Sequence, residues 1–209
     1  TVGYIQWSYP LIRPGEPERY AAFNPHRQAR WLDFVTIHFY PTLGSPFESD
    51  LSRRKNLDYL QAVLAYCHTG KPVILGEFGW YGGGAPQNHP FLSEQQQADW
   101  ITAEIEVSRS LADGWLSWPF ADTPESRDIS LFAGLVKPDM AVKAWGLAFR
   151  SYASNLPQLK QPAPKLPAFD FPDAIAAGGK ELSQMHDAYV EAIRSAIGQS
   201  PSSVPAAEK

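Results

Sequence analysis

Seven consecutive residues, Pro72-Val73-Ile74-Leu75-Gly76-Glu77-Phe78, read as a strand that is apolar on both faces until a lone carboxylate near its end. A strand without a polar face needs cover on both sides, the pattern of parallel sheets buried under helices. The rest of the sequence repeats that arrangement. Val2 to Trp7 is a short β run ended by Ser8-Tyr9-Pro10, and Pro25 to Leu32 has a helical pattern with Pro25 at a tolerated first-turn position. Phe34 to Tyr40 is rich in β-branched and aromatic residues and stops at Pro41, as a strand does. Leu57, Leu60, Val63, Leu64 and Cys67 mark one face of a helix that Gly70 closes. Ser93 with Gln96 forms a capping box for a helix through Trp100, Ile101, Ile105 and Leu111. Gly114 to Phe120 is a fourth strand, and Ala141, Ala144, Trp145, Ala148 and Phe149 mark a following helix.

Four strand-then-helix units in series predict an α/β fold with parallel strands and right-handed crossovers. A closed barrel of this kind takes eight units over about 250 residues. A 209-residue chain with four units is therefore a small open sheet or half of a barrel. Residues 156–173 are Pro-rich and predict an extended connector. Within 174–199, Leu182, Met185, Tyr189, Ile193 and Ile197 fall on one face of an amphipathic helix, expected to lie back on the main body or on absent sequence. Residues 200–209 read as a disordered tail. The opening residues look like the start of a buried strand rather than a natural N-terminus, so any leader is expected upstream.

Composition removes several classes. The net charge of −4 is spread along the chain with no basic block, which disfavours nucleic acid. No apolar run reaches the roughly 18 residues of a membrane span. The last helix mixes Lys180, Glu181, Asp187, Glu191 and Arg194 on its polar face, unlike a membrane-surface helix. Cys67 is the sole cysteine, excluding an internal disulfide framework and a multi-thiolate zinc site; its helical setting predicts a packed thiol. The five histidines lack metal-ligand spacing, and Gly82-Gly83-Gly84 lacks a phosphate-cradling pattern, so no cofactor is expected. Seven tryptophans exceed what a core this size requires, and flat indoles are what sugar faces stack against.

In parallel barrels the C-terminal strand ends and the loops after them build the active site. Glu77 ends the third strand between Gly76 and Gly79, and a carboxylate is costly to bury there without a purpose. The flanking glycines would let a ring-shaped ligand approach. His38 and Tyr40 are two apart and share a face. Tyr40 is expected to reach Glu77 from the neighbouring strand, and a phenol donated to a carboxylate favours the charged form. Trp118, near the end of the fourth strand, is a candidate sugar platform, with Trp7 and Trp80 as candidates for neighbouring subsites. Asp122, Glu125, Arg127 and Asp128 in the following loop are candidates for binding hydroxyls.

Taken in order, these strand ends resemble the cellulase-like families of retaining (β/α)8 glycoside hydrolases, the endoglucanases, mannanases and their relatives. The resemblance lies in His38-Phe39-Tyr40-Pro41, then Gly76-Glu77-Phe78-Gly79, then a strand bearing Trp118. Leu131 to Val136 and Pro138-Asp139 through Lys143-Ala144-Trp145 resemble the segment leading into the last helix. The resemblance covers about residues 1–155 as strands five to eight, so it implies the second half of a barrel. It implies Glu77 as nucleophile, His38 and Tyr40 in contact with nucleophile and sugar, and Trp118 stacked at the cleaved residue. It also implies a β-linked polysaccharide or oligosaccharide substrate and a secreted or periplasmic location. The acid/base in such enzymes is a Glu directly after an Asn at the end of strand four. Here Asn24, Asn56, Asn88 and Asn155 precede Pro, Leu, His and Leu, so the acid is expected in an N-terminal half absent from this chain. Two other readings stay open: a non-catalytic carbohydrate-binding or scaffold protein on a degenerate barrel, and an open-sheet domain complete in itself.

Overall fold

The computed structural model describes residues 3–5, 25–41, 43, 45–83, 92–155 and 179–197. Among them four strands form one wholly parallel sheet in chain order: β1 (Gly3–Ile5), β2 (Val35–Phe39), β3 (Val73–Phe78) and β4 (Gly114–Ser117). The helices are α1 (Pro25–Gln28), which runs into a 3-10 turn at Ala29–Trp31, α2 (Asp50–Tyr66), α3 (Glu94–Ser108), α4 (Ala144–Ser154) and α5 (Gly179–Ile197). The expected connector at 156–173 and tail at 200–209 lie outside the described residues, as does Trp7.

Local chemistry sets the helix starts. The Ser49 hydroxyl accepts the Ser52 amide at 3.1 Å ahead of α2. Ser93 and Gln96 form the capping box of α3, each side chain bonded to the other's backbone N–H. Such caps contribute about 1 kcal/mol each. Helix α4 begins at Ala144, three residues later than the apolar spacing suggests. Ala141 instead closes a turn, its carbonyl accepting the Lys137 amide at 2.9 Å, with Met140 at a φ of 68°. Strand β4 is shorter than expected because Pro119 has no N–H to offer the ladder.

The sheet is two-faced. Val35, Ile37, Phe39, Val73, Leu75 and Phe78 are fully buried against the helices. The opposite face carries Thr36, His38, Gly76 and Leu116, and Leu116 is 59% exposed. Under the helices, Phe39 packs on Tyr59 at 5.6 Å, and Phe78 meets Trp145 edge-on at 6.0 Å. A buried aromatic of this kind contributes about 1.5–3 kcal/mol. The Trp145 indole donates to Ser117 at 3.0 Å and that of Trp115 to Ser108 at 2.8 Å, fastening α4 and the end of α3 to β4. Cys67 is fully buried, and burial pushes its thiol up.

Helix α5 lies against α2. Tyr189 and Ile193 are buried in the same core as Leu57 and Leu60, and Arg194 pairs with Asp58.

Candidate active site at the strand ends

A β-bulge determines where Glu77 points. On β3, Leu75 pairs with Ile37 but Glu77 pairs with His38, so β3 carries one extra residue relative to β2. The same residue appears against β4, where Leu75 pairs with Trp115 and Phe78 with Ser117. Strict alternation from Val73 and Leu75 would turn residue 77 toward the helices. The bulge sends Glu77 to the open face instead and lets Phe78 take the buried place.

There Glu77 is held at both oxygens. The Tyr40 hydroxyl donates to Oε1 at 2.6 Å, and Nδ1 of His38 lies 2.6 Å from Oε2. Both partners come from β2 and its end, on the face opposite the buried Phe39. Burial, then the hydrogen bond and charge of Glu77, push the Tyr40 phenol far above its ordinary value, so it remains a donor throughout the range in which proteins work. All three side chains are partly exposed, as a ligand would require.

Glycines make the room, though for protein atoms rather than for a ligand. A Cβ on Gly76 would lie 3.1 Å from Cβ of Thr36, and one on Gly79 would lie 2.7 Å from the Trp118 carbonyl oxygen. The expectation that these glycines admit a sugar ring is therefore replaced by close approach of neighbouring chain. Gly3, which the sequence reading passed over, does the same for the site itself. A Cβ there would sit 2.9 Å from Nε2 of His38, so β1 leaves space for the imidazole. Its signal was a glycine inside a strand run.

Trp118 follows β4, its amide bonded to the Phe78 carbonyl at 3.1 Å and its bond to Pro119 cis. The indole is 47% exposed, and its N–H donates to Ser130 Oγ at 3.2 Å. Trp80 is half-buried against the core, edge-on to Tyr81 at 5.0 Å. Gln97, fully buried on α3, donates to the Trp80 carbonyl at 2.8 Å and so pins the loop after β3.

Asp122 sits inside the loop that follows β4. It is 8% exposed and its Oδ1 accepts the Gly134 amide at 2.7 Å. The ammonium of Lys143, itself fully buried, reaches both carboxylate oxygens at 3.0 and 3.2 Å and the Phe132 carbonyl at 2.8 Å. Burial raises the Asp122 carboxyl and lowers the Lys143 ammonium, each against the pull of its partner. These contacts occupy Asp122 with the chain itself, where the sequence reading assigned it sugar hydroxyls. Its neighbour Asp128 is exposed, and accepts Ser126 Oγ at 2.6 Å and the Ser130 amide at 2.8 Å.

An apolar recess lined by Phe34, Ile74, Leu116 and Phe149 belongs to the opposite ends of the strands and includes none of the Glu77 group. Among the described residues no set of His, Cys, Asp or Glu is arranged to hold a metal, and no helix is long and apolar enough to cross a membrane.

No family model and no curated protein matches the chain. Solved structures do. The GH5_18 protein of Bifidobacterium longum subsp. longum superposes with a TM-score of 0.59 at 19% identity, over 85% of this chain and 44% of that one. A variant of it in complex with Manb1-4GlcNAc gives 0.57 at 20% identity, with the same coverage. A beta-glucuronidase of an uncultured Clostridium sp. matches over 60% of this chain and 23% of its own, at 21% identity and a TM-score of 0.48. The chain thus spans less than half the length of each of these structures. At such identities the likeness concerns fold, and the fold of this chain is that of part of a (β/α)8 barrel, as in the GH5_18 structures.

Proposed function

We propose that this chain is the C-terminal half of a retaining glycoside hydrolase acting on a β-linked polysaccharide or oligosaccharide, with Glu77 as nucleophile. The observation that carries the reading is the grip on Glu77: one oxygen held by Tyr40 and the other by His38, at the C-terminal strand ends and on the sheet's open face. Trp118 offers a half-exposed indole after the neighbouring strand, a flat apolar surface for a sugar ring.

In this mechanism a Glu77 oxygen attacks the anomeric carbon while the C1–O bond to the leaving sugar breaks. A second carboxyl group, about 5–5.5 Å away in retaining enzymes, protonates the departing oxygen. That group belongs to a Glu in the N-terminal half of the barrel. It then takes a proton from water as the water attacks C1, which frees Glu77 and gives a product of retained configuration. Tyr40 and His38 orient Glu77 for the in-line approach.

The test is Glu77→Gln in the full-length protein. Turnover of β-1,4-glucan or β-1,4-mannan is expected to vanish while binding persists; comparable rates in variant and parent overturn the assignment. The 209 residues alone are expected to hydrolyse nothing, and measurable activity from them removes the need for a second half. The absence of an Asn-Glu pair in this sequence equally suits a non-catalytic carbohydrate-binding protein. The upstream sequence separates the two: an Asn-Glu at a strand end supports the enzyme, its replacement the binder.

A further inference from the structure

We infer that Asp128 is a specificity residue, an exposed carboxylate fixed beside the Trp118 indole that accepts hydroxyls of the sugar stacked there. The inference rests on the glycosidase reading and adds to it the group that tells one hexose from another.

A short chain of contacts places it. The Trp118 N–H donates to Ser130 Oγ at 3.2 Å, and the Ser130 amide donates to Asp128 Oδ1 at 2.8 Å. The Ser126 hydroxyl donates to the same oxygen at 2.6 Å. Ser130 is buried at 9% exposure, so the link between indole and carboxylate is internal, while Trp118 and Asp128 themselves face solvent. The hydrogen bonds from Ser126 and Ser130 hold the Asp128 carboxyl below its usual range, and its charge acts on the Tyr40 and Tyr81 phenols. Asp128 is thus tied through Ser130 to the platform.

Capping alone does not account for this residue. An Asn or Ser side chain would satisfy the Ser130 amide about as well. What Asp adds is a permanently charged acceptor at the edge of an aromatic surface. Hydrogen bonds to an ionised acceptor are about twice as strong as neutral ones, and a few fixed polar groups beside an apolar wall set ligand orientation. The loop's buried carboxylate, Asp122, is engaged by Lys143 and Gly134, whereas Asp128 is exposed and tied through Ser130 to the indole.

The experiment uses the full-length protein carrying Glu77→Gln, so that sugars bind without being cleaved. Cellobiose and β-1,4-mannobiose, which differ at the C2 hydroxyl, are titrated by calorimetry and tryptophan fluorescence. Asp128→Asn retains an oxygen for the Ser130 amide but replaces the charged acceptor with a neutral amide. It is expected to weaken the better disaccharide at least about tenfold and to narrow the difference between the two, with sugar-free emission unchanged. Ser130→Ala, which frees the indole, is expected to shift the emission and weaken both sugars alike. If Asp128→Asn leaves both affinities unchanged, or lowers them equally, the inference fails and the hydrolase reading stands. If neither sugar binds and the parent cleaves nothing, the reading and the inference fall together.

Discussion

His38 Nδ1 and Glu77 Oε2 meet at 2.6 Å across a β2–β3 pairing in which β3 carries one extra residue. The bulge makes this meeting possible, and Gly76, the unpaired residue, abuts Thr36. Gly76→Val is expected to cost about 1–3 kcal/mol by overpacking and to displace Glu77. Urea denaturation measures the first effect and loss of turnover the second. Wild-type stability in that variant would mean that Thr36 gives way freely.

Tyr40→Phe removes one donor to Glu77. A hydrogen bond to such a group contributes about 1–3 kcal/mol, so kcat/KM is expected to fall roughly tenfold to a hundredfold with unaltered circular dichroism. Because the phenol is pushed far above its ordinary value, no loss of activity through Tyr40 ionisation is expected up to about pH 10. A pH–rate profile of the parent that falls there, and of Tyr40→Phe that does not, would contradict this.

Lys143 and Asp122 are a buried ion pair, and removing one member strands the other. Lys143→Met is expected to lower stability by about 3–5 kcal/mol. Asp122→Asn combined with Lys143→Met should cost clearly less than the sum of the two single changes. Additive losses in a denaturation series would show that the pair does not act as a unit.

Glu104 is fully buried on α3, and neither of its oxygens accepts a hydrogen bond by distance and angle among the described residues. Burial pushes its carboxyl well above the usual range, only partly offset by Trp100 and Arg53 nearby. A raised carboxyl holds its proton longer when folded than when unfolded. Folding stability therefore falls as pH climbs from the ordinary Glu value, about 4.3, toward the raised one, by up to about 1.4 kcal/mol per pH unit. Glu104→Gln should flatten that slope above the ordinary Glu value; an unchanged slope would assign it to other groups.

The parallel sheet and its helices were legible because strand runs and helical spacing alternate so regularly, and because Ser93 and Gln96 announce a capped start. The Tyr40–Glu77 contact followed from strand adjacency. The bulge did not: Gly76-Glu77 reads the same whether or not a residue is left unpaired, and only the register against two neighbours reveals it. Nor did the difference between Asp122 and Asp128. Both are loop carboxylates in sequence, and what separates them is Lys143, twenty-one residues from Asp122 along the chain but 3.0 Å away in space. The role of Ser130 was hidden for the same reason, since a single serine carries no pattern.

Helix α5 has a practical consequence for where this protein can be cut. Tyr189 and Ile193 share a core with Leu57 and Leu60, and Arg194 is bound to Asp58. A truncation after Ser154 would leave that oily flank of α2 bare, so the packed core takes in α5 as well as the last barrel-like helix.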